Sequence, residues 1–200
     1  LPFAWGLDWL GLDTSAPIGE ADSLARWARG VMQDSSAWFT APPIADFALD
    51  GDRLTFPSAV CTPHDVNNVV SARVFPAREA GRSRSGPRRA VVVLPQWNAD
   101  AEGHVGLCRL LARFGLTAVR LSLPYHDARR PPDLSRSDFI VSPNVGQTLA
   151  VNRQAVLDAR RVIDWLELQG FDRIGVLGTS LGSCLAMLTM AHDPRLRAGA

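Results

Sequence analysis

Apolar and polar residues alternate in two segments of the first half of the chain, 52–60 (DRLTFPSAV) and 69–77 (VVSARVFPA). A period of two predicts half-buried β-strands, joined here by a turn at 62–68 (TPHDVNN). Three further runs are almost wholly apolar: 89–95 (RAVVVLP), 117–124 (TAVRLSLP) and 173–178 (RIGVLG). Runs of this kind are typical of parallel strands that are buried on both faces.

Helical periodicity fills the intervals between these strands. It predicts helices over 102–115, from about 144 to Gly170, and over 180–192, and a further strand beginning near 195. The long middle helix carries its apolar stripe on Leu149, Val156, Ala159, Ile163 and Leu166. Alternating strands and helices predict an α/β fold: a mostly parallel central sheet, helices on both faces, and the antiparallel pair at one edge.

Residues 1–45 are predicted to form an N-terminal helical appendage to an α/β core at 46–200. One helix face there is formed by Leu24, Trp27, Ala28 and Val31, after a cap at Asp22 or Ser23. The tryptophans of this segment either pack against the core, which we favour, or line a substrate entrance.

Composition narrows the class of protein. The formal net charge of +1 gives no support for a nucleic-acid partner, and the longest apolar run is too short to form a transmembrane segment. The arginine-rich stretch 78–89 is interpreted as a solvated loop. Three widely spaced cysteines match neither a zinc site nor a disulfide framework, so each is expected to be a small buried residue. No metal or cofactor is expected, and a cytoplasmic location is the default.

The stretch GTSLG (178–182) forms a G-x-S-x-G pattern between the last complete strand and the last helix. A sharp turn there leaves room only for small residues at Gly178 and Gly182 and raises Ser180 above the carboxyl ends of the strands. A serine needs a base and oxyanion donors to act as a nucleophile. The helix that follows supplies free N–H groups, so Ser180 is the candidate nucleophile and the N–H of Leu181 the first oxyanion donor.

With this motif the chain resembles the α/β-hydrolase superfamily over residues 50–200, and within it the esterase-like abhydrolase-domain proteins. In that superfamily a second oxyanion donor follows the third strand, commonly after His-Gly. Pro95 and Gln96 stand in those places here, so the resemblance implies the N–H of Trp97 as the donor, with Gln96 as the near alternative. It also implies a small-molecule ester substrate and an acyl-enzyme, without a cofactor.

The superfamily orders its catalytic triad as Ser, then Asp or Glu, then His. Only His192 and Asp193 follow Ser180 closely. A helix over 180–192 separates its ends by about 18 Å, so His192 is expected to interact with the helix C-terminus and not to act as the base. The acid and the base are therefore expected beyond Ala200, with this chain a fragment.

His126 follows a strand at the carboxyl edge of the sheet, where ligands bind. We favour a contact with the substrate or stabilisation of its own loop for this residue, and a base oriented by Asp127 stays open as the alternative. His64 and His104 are expected to be solvent-exposed and without chemistry. The leading hypothesis is a carboxylesterase-type serine hydrolase. The alternatives are a non-catalytic binding protein on the same fold and an acyltransferase. The sequence does not indicate an oligomeric state.

Overall fold

The computed structural model describes residues 2–15, 18–78 and 86–200. Most of the stretch interpreted as a solvated arginine loop, residues 79–85, lies outside the described residues. In the described part the strands are β1 (Ala48–Asp50), β2 (Arg53–Pro57), β3 (Val69–Phe75), β4 (Arg89–Leu94), β5 (Thr117–Leu121), β6 (Arg173–Gly178) and β7 (Leu196–Gly199). They form one sheet in the order β1-β2-β3-β5-β4-β6-β7.

The sheet has a parallel half and an antiparallel edge, as the alternation of elements predicts. Strands β5, β4, β6 and β7 run parallel to one another, whereas β1, β2 and β3 pair antiparallel and β3 joins β5 antiparallel. The short β1 has no counterpart among the predicted strands. The carboxyl ends of the parallel strands therefore meet at one edge, where loops can bring distant residues together.

The helices are α1 (Glu20–Gln33), α2 (Ser35–Trp38), α3 (Asp65–Asn68), α4 (Val105–Arg113), α5 (Val145–Leu168) and α6 (Leu181–His192). Helix α1 begins before its predicted cap, because Gly19 is its N-cap and no side chain caps it. Helix α3 is a single turn inside the connection that was predicted to be a simple turn. At the end of α6, His192 Nδ1 donates to the Leu188 carbonyl oxygen (2.9 Å).

The two faces of the sheet are covered by different helices. Alternate residues of β4 point to opposite sides, so Val92 belongs to the main core with α5 and α6, and Val93 to a smaller cluster under α4. Two expectations were wrong: Leu149 lies off the buried stripe of α5, and of the cysteines only Cys108 is buried while Cys61 and Cys184 are exposed.

The N-terminal segment runs along α5. Arg153 in α5 donates from Nε to the Trp38 carbonyl oxygen (2.7 Å) and lies over the Trp38 ring. At the start of α5, Gly146 packs so closely on Gly6 that a Cβ would collide with its carbonyl oxygen. A division between an appendage and a core at residue 45 stays a prediction.

Candidate active site

The G-x-S-x-G stretch forms a sharp turn between β6 and α6. Ser180 has φ 53° and ψ −118° and is exposed at the start of α6. A non-glycine residue in such a sparsely populated region costs about 1–3 kcal/mol and persists only where the surroundings enforce it. The turn therefore holds Ser180 in a strained conformation at the carboxyl edge of the sheet.

Packing explains why both flanking positions are glycine. A Cβ on Gly178 would collide with the Gly182 carbonyl and come within 2.5 Å of the Ser183 amide nitrogen. A Cβ on Gly182 would collide with the Leu94 carbonyl oxygen and come within 2.6 Å of that of Pro95. Real Cβ atoms do not approach other atoms this closely, so the turn closes only with glycine at 178 and 182.

The same contacts bring the G-x-S-x-G turn, residues 178–182 and called the elbow below, against the turn that follows β4. Besides the contact of Gly182 with residues 94 and 95, the Thr179 N–H donates to the Leu94 carbonyl oxygen (3.2 Å). Residues 96–99 then form a turn in which the Ala99 N–H donates to the Gln96 carbonyl oxygen (3.3 Å). Asn98 takes the left-handed conformation there (φ 56°), which asparagine tolerates better than most residues. Asn98 thus supplies the left-handed residue of this turn. The residues before it are Pro-Gln, where the superfamily commonly has His-Gly.

The proposed oxyanion donors are the backbone N–H groups of Leu181, Trp97 and Gln96. Among the hydrogen bonds of the described residues, none is donated by the backbone N–H of Leu181, Gln96 or Trp97. The N–H of Leu181 lies at the N-terminus of α6, where the helix dipole favours negative charge. The Trp97 side chain is held in place, because its Nε1–H donates to the Ser137 carbonyl oxygen (3.0 Å).

The hypothesis that His126 is a base oriented by Asp127 is wrong. His126 is fully buried, with Nδ1 2.9 Å from the Pro124 carbonyl oxygen and Nε2 accepting the Asn98 N–H at 2.9 Å. A carbonyl can only accept and an amide N–H can only donate, so the ring is the neutral Nδ1–H tautomer with both nitrogens engaged. The Asp127 carboxylate instead accepts from Arg120 (2.6 Å) and Ser122 (3.0 Å).

Burial lowers the pKa of His126, and Arg120 and Arg129 lower it further, while the Pro124 carbonyl and Asp127 act in the opposite direction. The direction agrees with the hydrogen bonds. A proton on Nε2 would face the Asn98 N–H, so the charged imidazole has no place in this structure.

His104 lies closer to the elbow than its sequence position suggested. Contrary to expectation it is half-buried, and its Nε2 lies 3.0 Å from Oγ1 of Thr179, the residue before Ser180. Burial and the nearby Arg120 guanidinium lower the pKa of His104. Its Nδ1 is buried without a partner among the described residues. The sequence did contain a signal for this position. His104 stands at the start of a helix that follows a parallel strand, and such a helix begins at the carboxyl edge of the sheet.

Two buried ion pairs stabilise the loop after β5. Neither pair was predicted from the sequence. Arg120 pairs with Asp127 (2.6 Å), with side chains 2% and 5% exposed. Arg129 pairs with Asp158 of α5 (2.8 Å), and both of these side chains are 0% exposed. These pairs fix the loop segment that carries His126.

His64 is also half-buried, in an aromatic cluster of Trp9, His64, Tyr125 and Phe139. The Tyr125 and Phe139 rings lie 4.8 Å apart between centroids, and those of Trp9 and Phe139 lie 6.0 Å apart. Trp9 also lines a cleft of about 270 Å³ together with Cys61 and residues of α5 such as Val151. None of the residues that line this cleft belongs to the turn at 178–182 or to the turn at 96–99.

In the part of the chain that the structure describes, no helix has the length and apolar character needed to cross a bilayer. The described residues likewise contain no cluster of three His, Cys, Asp or Glu side chains arranged to bind a metal ion.

The strand order, the glycine-flanked turn and the helix that follows Ser180 define an α/β-hydrolase fold. The family described as "Alpha/beta hydrolase domain containing 18" matches residues 59–198. Because the match covers more than half of the chain, the protein belongs to this family.

Several solved structures share the fold. A candidate acetyl xylan esterase from Bacteroides fragilis is 17% identical (TM-score 0.61), with 89% of this chain and 53% of that chain covered. A cold-adapted esterase from an Arctic intertidal metagenomic library is 12% identical (TM-score 0.51; 79% and 64% covered). A candidate dienelactone hydrolase from Klebsiella pneumoniae is 23% identical (TM-score 0.50; 66% and 52% covered). The chain thus spans about half to two thirds of the length of these structures.

Proposed function

We propose that this protein is a serine hydrolase of the carboxylesterase type that cleaves small-molecule esters through an acyl-enzyme on Ser180. The observation that carries the proposal is the conformation of Ser180. Ser180 is exposed, with φ 53°, at the end of a parallel strand, and the glycine positions on either side of it accept no larger residue. A fold keeps strain of this kind at a site where the strain is used.

The backbone near Ser180 supports the same reaction. Attack on an ester carbonyl creates an oxyanion, which prearranged N–H donors in a water-poor site stabilise. We assign the N–H of Leu181 and the N–H of Trp97 to this role, with Gln96 as the alternative to Trp97. In the described residues all three N–H groups lack an intramolecular acceptor, and the elbow packs directly on the turn that carries Gln96 and Trp97.

The base and the acid are proposed to follow Ala200 in the full-length protein, in the order Ser, acid, His. None of the four histidines of this chain fits the role of base directly. His126 uses both ring nitrogens, and His192 lies at the far end of α6. His64 packs in the aromatic cluster with Tyr125 and Phe139, and His104 contacts Thr179 instead.

An organophosphonate probe tests the proposal, because it forms a stable bond only with an activated serine. We expect the full-length protein to be labelled at Ser180, as located by peptide mass spectrometry, and the Ser180→Ala variant to remain unlabelled. Ser36→Ala, which changes an exposed serine of α2, is the matched control and should still be labelled. Equal labelling of wild type and Ser180→Ala, or labelling of neither, would refute the role of Ser180 as the nucleophile.

A further inference from the structure

The turn at residues 96–99 is held in shape by groups from other loops. The Asn98 N–H donates to His126 Nε2 (2.9 Å), and the Asn98 side-chain oxygen accepts from the Ser137 N–H (3.2 Å). Asn98 itself has φ 56°. The peptide plane between Trp97 and Asn98 is thereby oriented from outside the turn, since a rotated plane would point the Trp97 carbonyl oxygen at the lone pair of Nε2.

The imidazole that makes this contact is itself rigid. His126 is 0% exposed, and its Nδ1–H is committed to the Pro124 carbonyl oxygen. The charged groups around it are engaged elsewhere: Asp127 with Arg120 on β5, and Arg129 with Asp158 on α5. His126 therefore presents one fixed acceptor toward the turn.

We propose that His126 is a positioning residue for ester hydrolysis: it accepts the Asn98 N–H and so holds the turn in the conformation in which the Trp97 N–H meets the oxyanion formed at Ser180. The inference rests on the proposed function of Ser180. It gives His126 no contact with the substrate and no proton transfer. Protonation at Nε2 would remove the acceptor, so this role requires the neutral ring.

Two variants of the full-length protein separate the acceptor from the rest of the ring. His126→Asn keeps a donor near the position of Nδ1 but has no acceptor that reaches Asn98, whereas His126→Gln carries an acceptor oxygen near the position of Nε2. With p-nitrophenyl acetate as substrate, we expect His126→Asn to lower kcat by about 10²-fold, the usual cost of a displaced oxyanion donor. KM should change by less than a factor of about 3, and His126→Gln should recover most of kcat.

His192→Ala is the control, because it also removes an imidazole with two hydrogen-bond contacts but at the far end of α6. It should keep the wild-type kcat. An equal fall of kcat in His126→Asn and His126→Gln, or the wild-type kcat in both, would overturn the positioning role while Ser180 remains the nucleophile. Failure of wild type to hydrolyse the ester, together with no labelling of Ser180, would refute the proposed function itself.

A pH profile covers the case in which His126→Asn does not fold. As pH falls, wild type should lose kcat through two protonations, one on the catalytic base and one on His126. The kcat of the His126→Gln variant should fall through one protonation only, that of the catalytic base. The acid limb of its pH profile should therefore be less steep than that of wild type. Identical acid limbs would overturn the inference.

Discussion

Gly182→Ala tests whether the elbow packs on the turn after β4 as closely as the structure indicates. The added Cβ would collide with the Leu94 carbonyl oxygen and lie 2.6 Å from that of Pro95, whereas ordinary contact begins at 3.4 Å. The elbow and the turn must therefore separate by at least about 0.8 Å, because both neighbours are backbone atoms that no side-chain rotation can move. This movement separates Ser180 from the turn that carries the Trp97 N–H.

Two magnitudes follow from this displacement. Overpacking of this kind costs about 1–3 kcal/mol of unfolding free energy, which lowers the melting temperature of a chain of this size by roughly 2–12 °C. A misplacement of about 1 Å between reacting groups costs on the order of 10²-fold in rate. We therefore expect a folded but less stable variant whose Ser180 reacts with an organophosphonate about 10²-fold more slowly than in wild type.

The assay combines urea unfolding with the time course of phosphonate labelling, both on the full-length protein. Gly106→Ala is the matched control, since this exposed glycine lies inside α4 and its added Cβ meets nothing within 4 Å. It should gain about 0.5–1 kcal/mol through helix propensity and label at the wild-type rate. If Gly182→Ala kept both the wild-type unfolding midpoint and labelling rate, the close packing of elbow and turn would be wrong.

Three further predictions concern stability. Asp158→Ala leaves the buried guanidinium of Arg129 without its partner and should cost about 3–5 kcal/mol in urea unfolding, whereas Asp138→Ala breaks only an exposed pair and should cost less than about 1 kcal/mol. Gly146→Ala would strike a carbonyl of the N-terminal segment, so limited proteolysis should cut residues 2–15 faster than in wild type. Because the folded protein lowers the pKa of His126, the unfolded chain binds the proton first. The stabilisation from the neutral ring is complete above about pH 6.5 and is lost as pH falls through the lowered pKa. The difference in unfolding free energy between wild type and His126→Gln should therefore shrink as pH falls through that range. A difference that stays constant with pH would contradict this prediction.

Predictions from local sequence patterns succeeded where the relevant physics acts between near neighbours. The run RIGVLG coincides with β6 (Arg173–Gly178), because a continuous apolar run is what a strand covered on both faces requires. Gly178 and Gly182 were assigned from the sharpness of one turn, and the atoms that exclude a Cβ at Gly178 belong to that turn. The start of α1 was misplaced because Gly19 precedes it where a polar side-chain cap was expected.

The roles of the histidines were decided by the tertiary structure. His126 follows a strand at the right edge of the sheet, which made it a reasonable candidate for the base. Its partner Asn98 lies 28 residues away on another loop, and the Asn98 N–H occupies the second ring nitrogen of His126. His104 approaches Thr179 across 75 residues, a separation at which no local pattern carries information.

The sequence alone therefore determined the order of strands β2 to β7 and of helices α1 and α4 to α6, the mostly parallel sheet and the turn that exposes Ser180. Each of these follows from hydrophobic periodicity or from backbone sterics within a few residues. Only the tertiary structure decided which imidazoles are free, which carboxylates are paired and which amide N–H groups remain without an acceptor. Those properties depend on which loops meet at the carboxyl edge of the sheet, and the packing of the whole chain sets that arrangement.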